Sequence, residues 1–313
     1  MNIVFFGSAE FSMGSLRALI TSRHKVVALV TQPDRKKGRS LKLSPPPTKV
    51  LAASHGIPVY QPEDASIKES VKYLKDLKPD LFVVVSFGQI LKKELLAVPR
   101  LYSINLHASL LPKYRGAAPV NWAVINGDKE TGATIMRMDE GMDSGDIMAQ
   151  EEIPIGEDDT SLTMSEKISE RGAGLLVAAI ESIEKDKTKF VKQDASRATY
   201  APKMKKEDGL IDWKEDAFKI HNLTKGLLPW PGAYTRHKGK ILKVLMTGVS
   251  PLPGAEGGSQ PGEVMEATGE KGIIVATGHG ALAITYLQLE GKKILDAASF
   301  LRGHRMEKGE ILG

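Results

Sequence analysis

The 313-residue sequence contains no cysteine, which excludes a disulfide framework, a thiolate nucleophile and any cysteine metal site. No H-E-x-x-H or comparable ligand spacing offers a metal centre built from histidine and carboxylate, so no metal is expected. Long hydrophobic runs are missing too. No window approaches the roughly 18 apolar residues a membrane helix needs. The opening MNIVFFGSAEF has no basic region ahead of its short apolar run, so no secretory leader is expected there. Phosphate-cradling loops are also absent. The first apolar run ends on Gly7 alone rather than on G-x-G-x-x-G, and no G-x-x-x-x-G-K-[ST] occurs. Nicotinamide and nucleoside-triphosphate chemistry are thereby set aside. What remains is an ordinary globular composition, 42% hydrophobic and 26% charged, with a net charge of +5. That charge weakly favours a polyanionic partner. The expected setting is cytoplasmic, with no membrane partner and a monomeric chain.

The length allows two domains, and the patterning divides accordingly. Asn2–Phe6, Lys25–Thr31, Ile57–Tyr60 and Asp80–Ser86 are β-rich runs separated by stretches of near-helical period, Phe11–Ile20, Pro47–His55 and Ala65–Leu77. The run LFVVVS is apolar on both faces, as a strand buried in a parallel sheet between helices must be. Strands alternating with helices predict a doubly wound, Rossmann-like α/β domain, which Ser161–Ile183 completes as a further helix. A polar, lysine-rich stretch follows. Beyond it a helix runs to Leu227, and then five short β runs separated by turn signals suggest an OB-like β-barrel. The expected organisation is an α/β catalytic domain over 1–188, a linker over 189–206 and a C-terminal β-barrel domain over 207–313.

In a doubly wound sheet ligands sit beyond the carboxyl ends of the strands. Phe6-Gly7-Ser8, Ser86-Phe87-Gly88-Gln89 and His107-Ala108-Ser109 occupy such ends. The last follows SINLH, where side chains alternate, so Asn105 and His107 leave the backbone on one side, roughly 6–7 Å apart. Downstream, the acidic loop DEGMDSGD carries Asp139, Asp143 and Asp146. An imidazole moves protons near neutral pH, an amide donates to an oxygen gaining charge, and a carboxylate orients the imidazole. Such a set suits attack by a substrate nucleophile on a carbonyl without a covalent enzyme intermediate. On residue types alone, a structural role is equally open, with His107 capping a strand and Asn105 and Asp143 satisfying turns.

The stretch INLHASLLPKYRGAAPVNWAVINGDKETGATIMRMDEGMDSGDI is similar to the signature of the folate-dependent formyltransferases. The likeness continues through FGSAEF, TQPDRKKGR, VSFGQIL, YAPKMKKEDGLIDW and LPWPGAYT, and so spans nearly the whole sequence. One departure is Ser8-Ala9, where relatives usually carry threonine-proline. The resemblance implies that Asn105, His107 and Asp143 are catalytic. It implies that Ser109, Leu110, Leu111 and Pro112 bind folate, that Phe87, Gly88, Gln89, Ile90 and Leu91 line the pterin pocket, and that Asp139 contributes. With the second domain, it implies transfer of the formyl group of 10-formyltetrahydrofolate to the α-amine of methionine esterified to initiator tRNA. A formyltransferase for small amines would be expected to stop near the end of the α/β domain, and a hydrolase or sugar-nucleotide enzyme to carry a different second one. A non-catalytic RNA-binding protein on the same scaffold would have no need of the intact Asn105, His107 and Asp143.

Five cations fall within the eight residues 35–42. Alone, this segment reads as a solvated loop. Under the resemblance it becomes the element that enters the acceptor-stem region of the tRNA, neutralising phosphates. The implied contacts are Arg35, Lys36, Lys37, Arg39 and Lys42, with Arg39 and Lys42 the leading candidates, and Arg197, Lys203, Lys205 and Lys206 extending the track. The tRNA-binding role of the barrel domain is implied in the same way.

Overall fold

The computed structural model describes residues 1–37 and 42–313, with Lys37 and Lys42 described by backbone alone. It separates into two compact units. One holds residues 1–119, 130–154 and 165–201, and the other holds 120–129, 155–164 and 202–313.

The first unit is built on seven strands. In chain order come β1 (Asn2–Gly7), helix α1 (Ser12–Thr21) and β2 (Lys25–Val30). A two-strand hairpin follows, β3 (Arg35–Lys37) and β4 (Lys42–Ser44), then α2 (Pro47–Ser54), β5 (Val59–Tyr60) and α3 (Lys68–Asp76). After these come β6 (Leu81–Val85), α4 (Lys93–Leu96), β7 (Tyr102–His107) and β8 (Arg115–Gly116). Helix α5 (Pro119–Ile125), which beyond Pro119 is counted in the second unit, leads to β9 (Glu130–Arg137) and β10 (Ile147–Pro154), and α6 (Ser161–Glu184), in the first unit from Ser165 onward, and β11 (Tyr200–Ala201) complete this part of the chain.

The sheet order is β10-β9-β7-β6-β1-β2-β5. From β7 to β5 every pairing is parallel, whereas β9 and β10 run antiparallel at one end. The doubly wound expectation holds, with the antiparallel pair added. Central strands are apolar on both faces because helices cover both. Val4, Phe6, Val30, Phe82 and Val84 pack on one side with Leu74, Phe87, Leu91 and Leu95. On the other, α6 lies so close to the sheet that a Cβ at Gly172 would stand 2.9 Å from a Leu106 methyl. Gly14 lets α1 approach α6 equally closely, its missing Cβ falling 2.9 Å from the Ser169 carbonyl oxygen. Each large side chain buried in these layers contributes about 1.5–3 kcal/mol.

The second unit contains α7 (Ala217–Gly226), β12 (Ala233–His237), β13 (Lys240–Ser250) and β14 (Val264–Thr268), then β15 (Gly272–Ala276), β16 (Ala281–Leu289), β17 (Leu295–Asp296) and α8 (Ala297–Gly303). Its antiparallel sheet has the order β12-β13-β16-β15-β14, with β17 on β16. The last residues close it. Val264 N–H donates to the Glu310 carbonyl, Leu312 N–H to Gly262 and Gly313 N–H to Arg236, so the tail joins the β14 edge to the β12 edge. Closure removes the open edges that would otherwise recruit foreign strands.

Candidate active site

Strand β7 delivers two of the three expected catalytic side chains. Its neighbours β6 and β9 fix its register, Asn105 standing opposite Val84 and His107 opposite Thr134. Asn105 Nδ2 donates to the Val84 carbonyl oxygen at 3.0 Å. That oxygen can only accept, so the amide orientation is determined and Oδ1 faces away from it. Oδ1 is buried and has no partner among the described residues. His107 is 7% exposed, and its Nε2 lies 2.9 Å from the Tyr114 carbonyl oxygen. The acceptor-only carbonyl places a proton on Nε2, which leaves Nδ1 bare in the neutral ring. Nδ1 faces Asp143 Oδ2 at 3.7 Å. The amide, imidazole and carboxylate of the sequence hypothesis therefore sit together at the carboxyl end of β7.

The three residues Tyr114–Gly116 set this arrangement. The Tyr114 carbonyl takes His107, and Gly116 N–H donates to Asp143 Oδ2 at 2.8 Å. Tyr114 N–H donates to Thr199 Oγ1 at 2.8 Å, and β8 pairs with β11. A Cβ at Gly116, where φ is +122°, would stand 2.7 Å from the Ala201 carbonyl oxygen. Arg115 is buried, with Nε and Nη2 3.1 and 2.7 Å from Gln193 Oε1. Gln193 Nε2 in turn donates to the carbonyls of Asp143 and Gly145 at 2.9 and 2.7 Å. Residues 189–201, which composition marks as linker, thus belong to the first unit and hold the site. They do so through amides, hydroxyls and backbone, groups that leave no hydrophobic pattern to read.

The residues expected to bind folate divide by where their side chains go. Phe87 and Leu91 are buried in the sheet core with Phe6 and Phe82. Gln89 accepts from Ala65 N–H at 2.8 Å and donates to the carbonyls of Pro62 and Glu63. Gly88 has φ +87° at the tip of this loop, and Ile90, at 85%, is the most exposed large apolar side chain among the described residues. Ser109 Oγ closes a turn onto the Lys113 carbonyl at 2.6 Å. Thr134 Oγ1 donates to the Ser109 carbonyl at 2.6 Å and receives Leu111 N–H at 3.2 Å. Gln150 Nε2 ties Thr134 to the Leu111 carbonyl at 2.9 Å each. Leu111 is therefore buried, while Leu110 and Pro112 keep partial exposure. Asp139 accepts from Gly141 N–H and the Ser144 hydroxyl, an Asx turn that shapes the acidic loop. Lys93 and Glu140 pair at 3.1 Å between this loop and the start of α4.

The departure at Ser8 has a local account. Its hydroxyl accepts from Gln32 N–H at 3.0 Å and from Thr31 Oγ1 at 3.2 Å, and donates to the Phe87 carbonyl at 3.2 Å. It thus joins the carboxyl ends of β1, β2 and β6.

At the basic segment, β3 and β4 pair antiparallel, with Arg35 opposite Ser44 and Lys37 opposite Lys42. Arg35 and Lys36 are exposed, and Arg35 meets Glu63 at 3.2 Å. The hairpin base is anchored by Asp34, which receives both Gln61 Nε2 and Lys49 Nζ. These two contacts, Gln61 first, hold its carboxyl below the usual range. Arg39 lies outside the described residues, as do the side chains of Lys37 and Lys42. Arg197, Lys203, Lys205 and Lys206 are all exposed. No group of three or more histidine or carboxylate residues could hold a metal ion among the described residues, and none of their helices is long and apolar enough to cross a membrane.

A Rossmann-like sheet with Asn-x-His at one strand end, faced by an aspartate loop, is matched by the formyl transferase family model over residues 1–180 and by the formyl transferase C-terminal domain model over 203–305. The chain belongs to the formyl transferase family. It is 49% identical over its full length to the methionyl-tRNA formyltransferase of Citrifermentans bemidjiense, covering 96% of that protein, and 47% identical to that of Geobacter sulfurreducens, covering 97%. Solved structures share the fold at lower identity. An N-formyltransferase from Helicobacter canadensis in complex with folinic acid and dTDP-3-aminofucose matches 90% of this chain and 98% of its own, at 19% identity and a TM-score of 0.66. HypX from Aquifex aeolicus in complex with tetrahydrofolic acid matches 99% of this chain and 50% of its own, at 18% identity and a TM-score of 0.63.

Proposed function

We infer that this protein transfers the formyl group of 10-formyltetrahydrofolate to the α-amine of methionyl initiator tRNA. The structural observation carrying this reading is the bare His107 Nδ1 facing Asp143 Oδ2 beside a buried, unpartnered Asn105 Oδ1. Full-length relatives that bear the name of that activity support the substrate pair.

A buried acceptor without a partner is costly unless a ligand supplies a donor. An N–H of the attacking amine meets that need at Oδ1 and aims the nitrogen lone pair at the formyl carbon. As the new C–N bond forms, the amine proton moves to His107 Nδ1. The imidazolium, charge-balanced by Asp143, and the uncommitted hydrogen of Asn105 Nδ2 stabilise the developing oxyanion. Collapse of the tetrahedral adduct breaks the bond to the folate nitrogen, which takes the electron pair and the proton from Nδ1. Tetrahydrofolate and formylated aminoacyl-tRNA leave, and His107 is neutral again.

On the donor side, partly exposed Leu110 and Pro112 with exposed Gly88 and Ile90 form the contact surface, while Ser109, Leu111, Phe87, Leu91, Gln89 and Asp139 shape it from behind. The cations of residues 35–42 neutralise tRNA phosphates, and the barrel domain adds to tRNA binding. The chain acts as a monomer in the cytoplasm. The deciding assay offers 10-formyltetrahydrofolate with methionyl initiator tRNA, free methionine and glycinamide ribonucleotide in parallel. Product is expected on the tRNA alone, and product only on a small amine would overturn the reading. Asn105→Ala and His107→Ala should each lose at least about 10²-fold in turnover while still binding tRNA, and near-normal turnover in either removes that residue from the mechanism.

A further inference from the structure

We propose that Arg115 and Gln193 are positioning residues for this reaction, acting through the backbone of Asp143; the proposal rests on the reading of His107 and Asp143 given above. Asp143 has φ +49°, a left-handed conformation uncommon for a residue with a Cβ. Such a conformation persists only where its surroundings over-determine it. Gly116 N–H holds the carboxylate at Oδ2, but that bond does not fix the Asp143 backbone. The second constraint is Gln193, whose Nε2 donates to the carbonyls of Asp143 and Gly145 at 2.9 and 2.7 Å.

An amide can turn over and present its oxygen instead, and here it cannot. Arg115 has only donors, and both Nε and Nη2 point at Gln193 Oε1 at 3.1 and 2.7 Å. The loop carbonyls have only acceptors. All four contacts agree on one orientation, and reversing it would set donor against donor and acceptor against acceptor. Arg115 and Gln193 are each 7% exposed, so water does not readily substitute. Three successive residues therefore set the relation between imidazole and carboxylate. Tyr114 holds His107, Gly116 holds the Asp143 carboxylate, and Arg115 holds its backbone by way of Gln193. The consequence is a fixed separation between Nδ1 and Oδ2, on which charge stabilisation of the imidazolium depends.

The test uses Gln193→Glu and Gln193→Met in the full-length protein, each alone and combined with Asp143→Ala. Glutamate keeps Arg115 paired but turns an acceptor toward two carbonyls, and methionine keeps the length and removes the polar contacts. Misplacing a catalytic group by about 1 Å costs on the order of 10²-fold in rate. Both variants should therefore lose roughly 10- to 100-fold in kcat, with KM for formyl donor and tRNA within about twofold. On the Asp143→Ala background, single-turnover rates should fall no further, because the group being positioned is already gone. Normal kcat, a loss confined to KM, or a full additional loss on the Asp143→Ala background overturns the proposal while leaving the site reading intact. Normal turnover by Asp143→Ala itself overturns both.

Discussion

Thr134 offers a sharp test of how the 109–112 turn is built. Its hydroxyl is fully buried, donates to the Ser109 carbonyl, and accepts from Leu111 N–H and Gln150 Nε2. Thr134→Val keeps the shape and deletes all three contacts. Gln150 retains the Leu111 carbonyl and some exposure, so its loss is small. Ser109 O and Leu111 N are buried backbone groups with no replacement, and stranding each costs about 1–3 kcal/mol. The added methyl recovers at most about 0.8 kcal/mol. The net destabilisation is about 1–5 kcal/mol, which lowers the melting temperature of a unit this size by roughly 2–20 °C. Thr134→Ser, which keeps the hydroxyl, should stay within about 1.5 kcal/mol of the parent. Urea denaturation of the three proteins, with KM for 10-formyltetrahydrofolate measured alongside, distinguishes them. KM should rise for Thr134→Val because the 109–112 turn loosens. A valine variant within about 0.5 kcal/mol of the parent, with unchanged KM, would refute the assignment of Thr134 as the hub of the turn.

Gly145→Ala would place a Cβ 1.7 Å from the Arg137 carbonyl oxygen, so the Asp143 loop must move and turnover should drop on the order of 10²-fold; a variant with parental kcat contradicts the tight loop geometry. Paired alanine substitutions among Arg35, Lys36, Arg39 and Lys42 should raise KM for tRNA and reduce the salt dependence of its binding by about one logarithmic unit per lost phosphate contact. If binding and its salt slope are unaltered, the hairpin is only solvated. His221 has its pKa lowered by burial first and by nearby Lys225 second. The unfolded chain therefore takes up a proton near pH 6.5 that the folded chain resists. The stabilisation from neutral His221 is complete above that pH and disappears as pH falls through the folded pKa. His221→Gln should flatten the decline in urea midpoint between pH 7 and 5, and an unchanged slope would assign the decline elsewhere, for instance to His24, whose pKa is lowered in the same direction.

Much of the sheet is readable in the sequence because burial on both faces leaves a simple trace. Strand β6 is at most 5% exposed throughout, and LFVVV has no polar residue to interrupt it. Strand β10 lies at the sheet end with only Ile153 buried, so neither an unbroken apolar run nor a clean alternation marks it. Helix α5 is seven residues entered through Pro119 after a glycine- and proline-rich turn, and local chemistry there reads as turn. The tail that closes the second unit is legible only as a few terminal residues, since its contribution is backbone hydrogen bonding to two distant edges.

The site divides along the same physical line. Asn105 and His107 could be paired from the sequence because a strand's two-residue period is rigid. What gives them their chemistry could not. The partners that orient them are the carbonyls of Val84 and Tyr114, and the partner of the Asp143 carboxylate is the amide of Gly116. Every residue has these backbone groups, so no residue type announces them. The family resemblance singled out Asp143 among the carboxylates of its loop as catalytic, yet it also marked Ser109, Gln89 and Asp139 as folate contacts, and their polar atoms are engaged in shaping turns. A motif records which residues are needed without separating those that meet the ligand from those that hold the loop. Gln193 is the converse case, a polar residue in a stretch without apolar pattern whose amide makes two hydrogen bonds to the loop of the expected acid–base pair and two to Arg115.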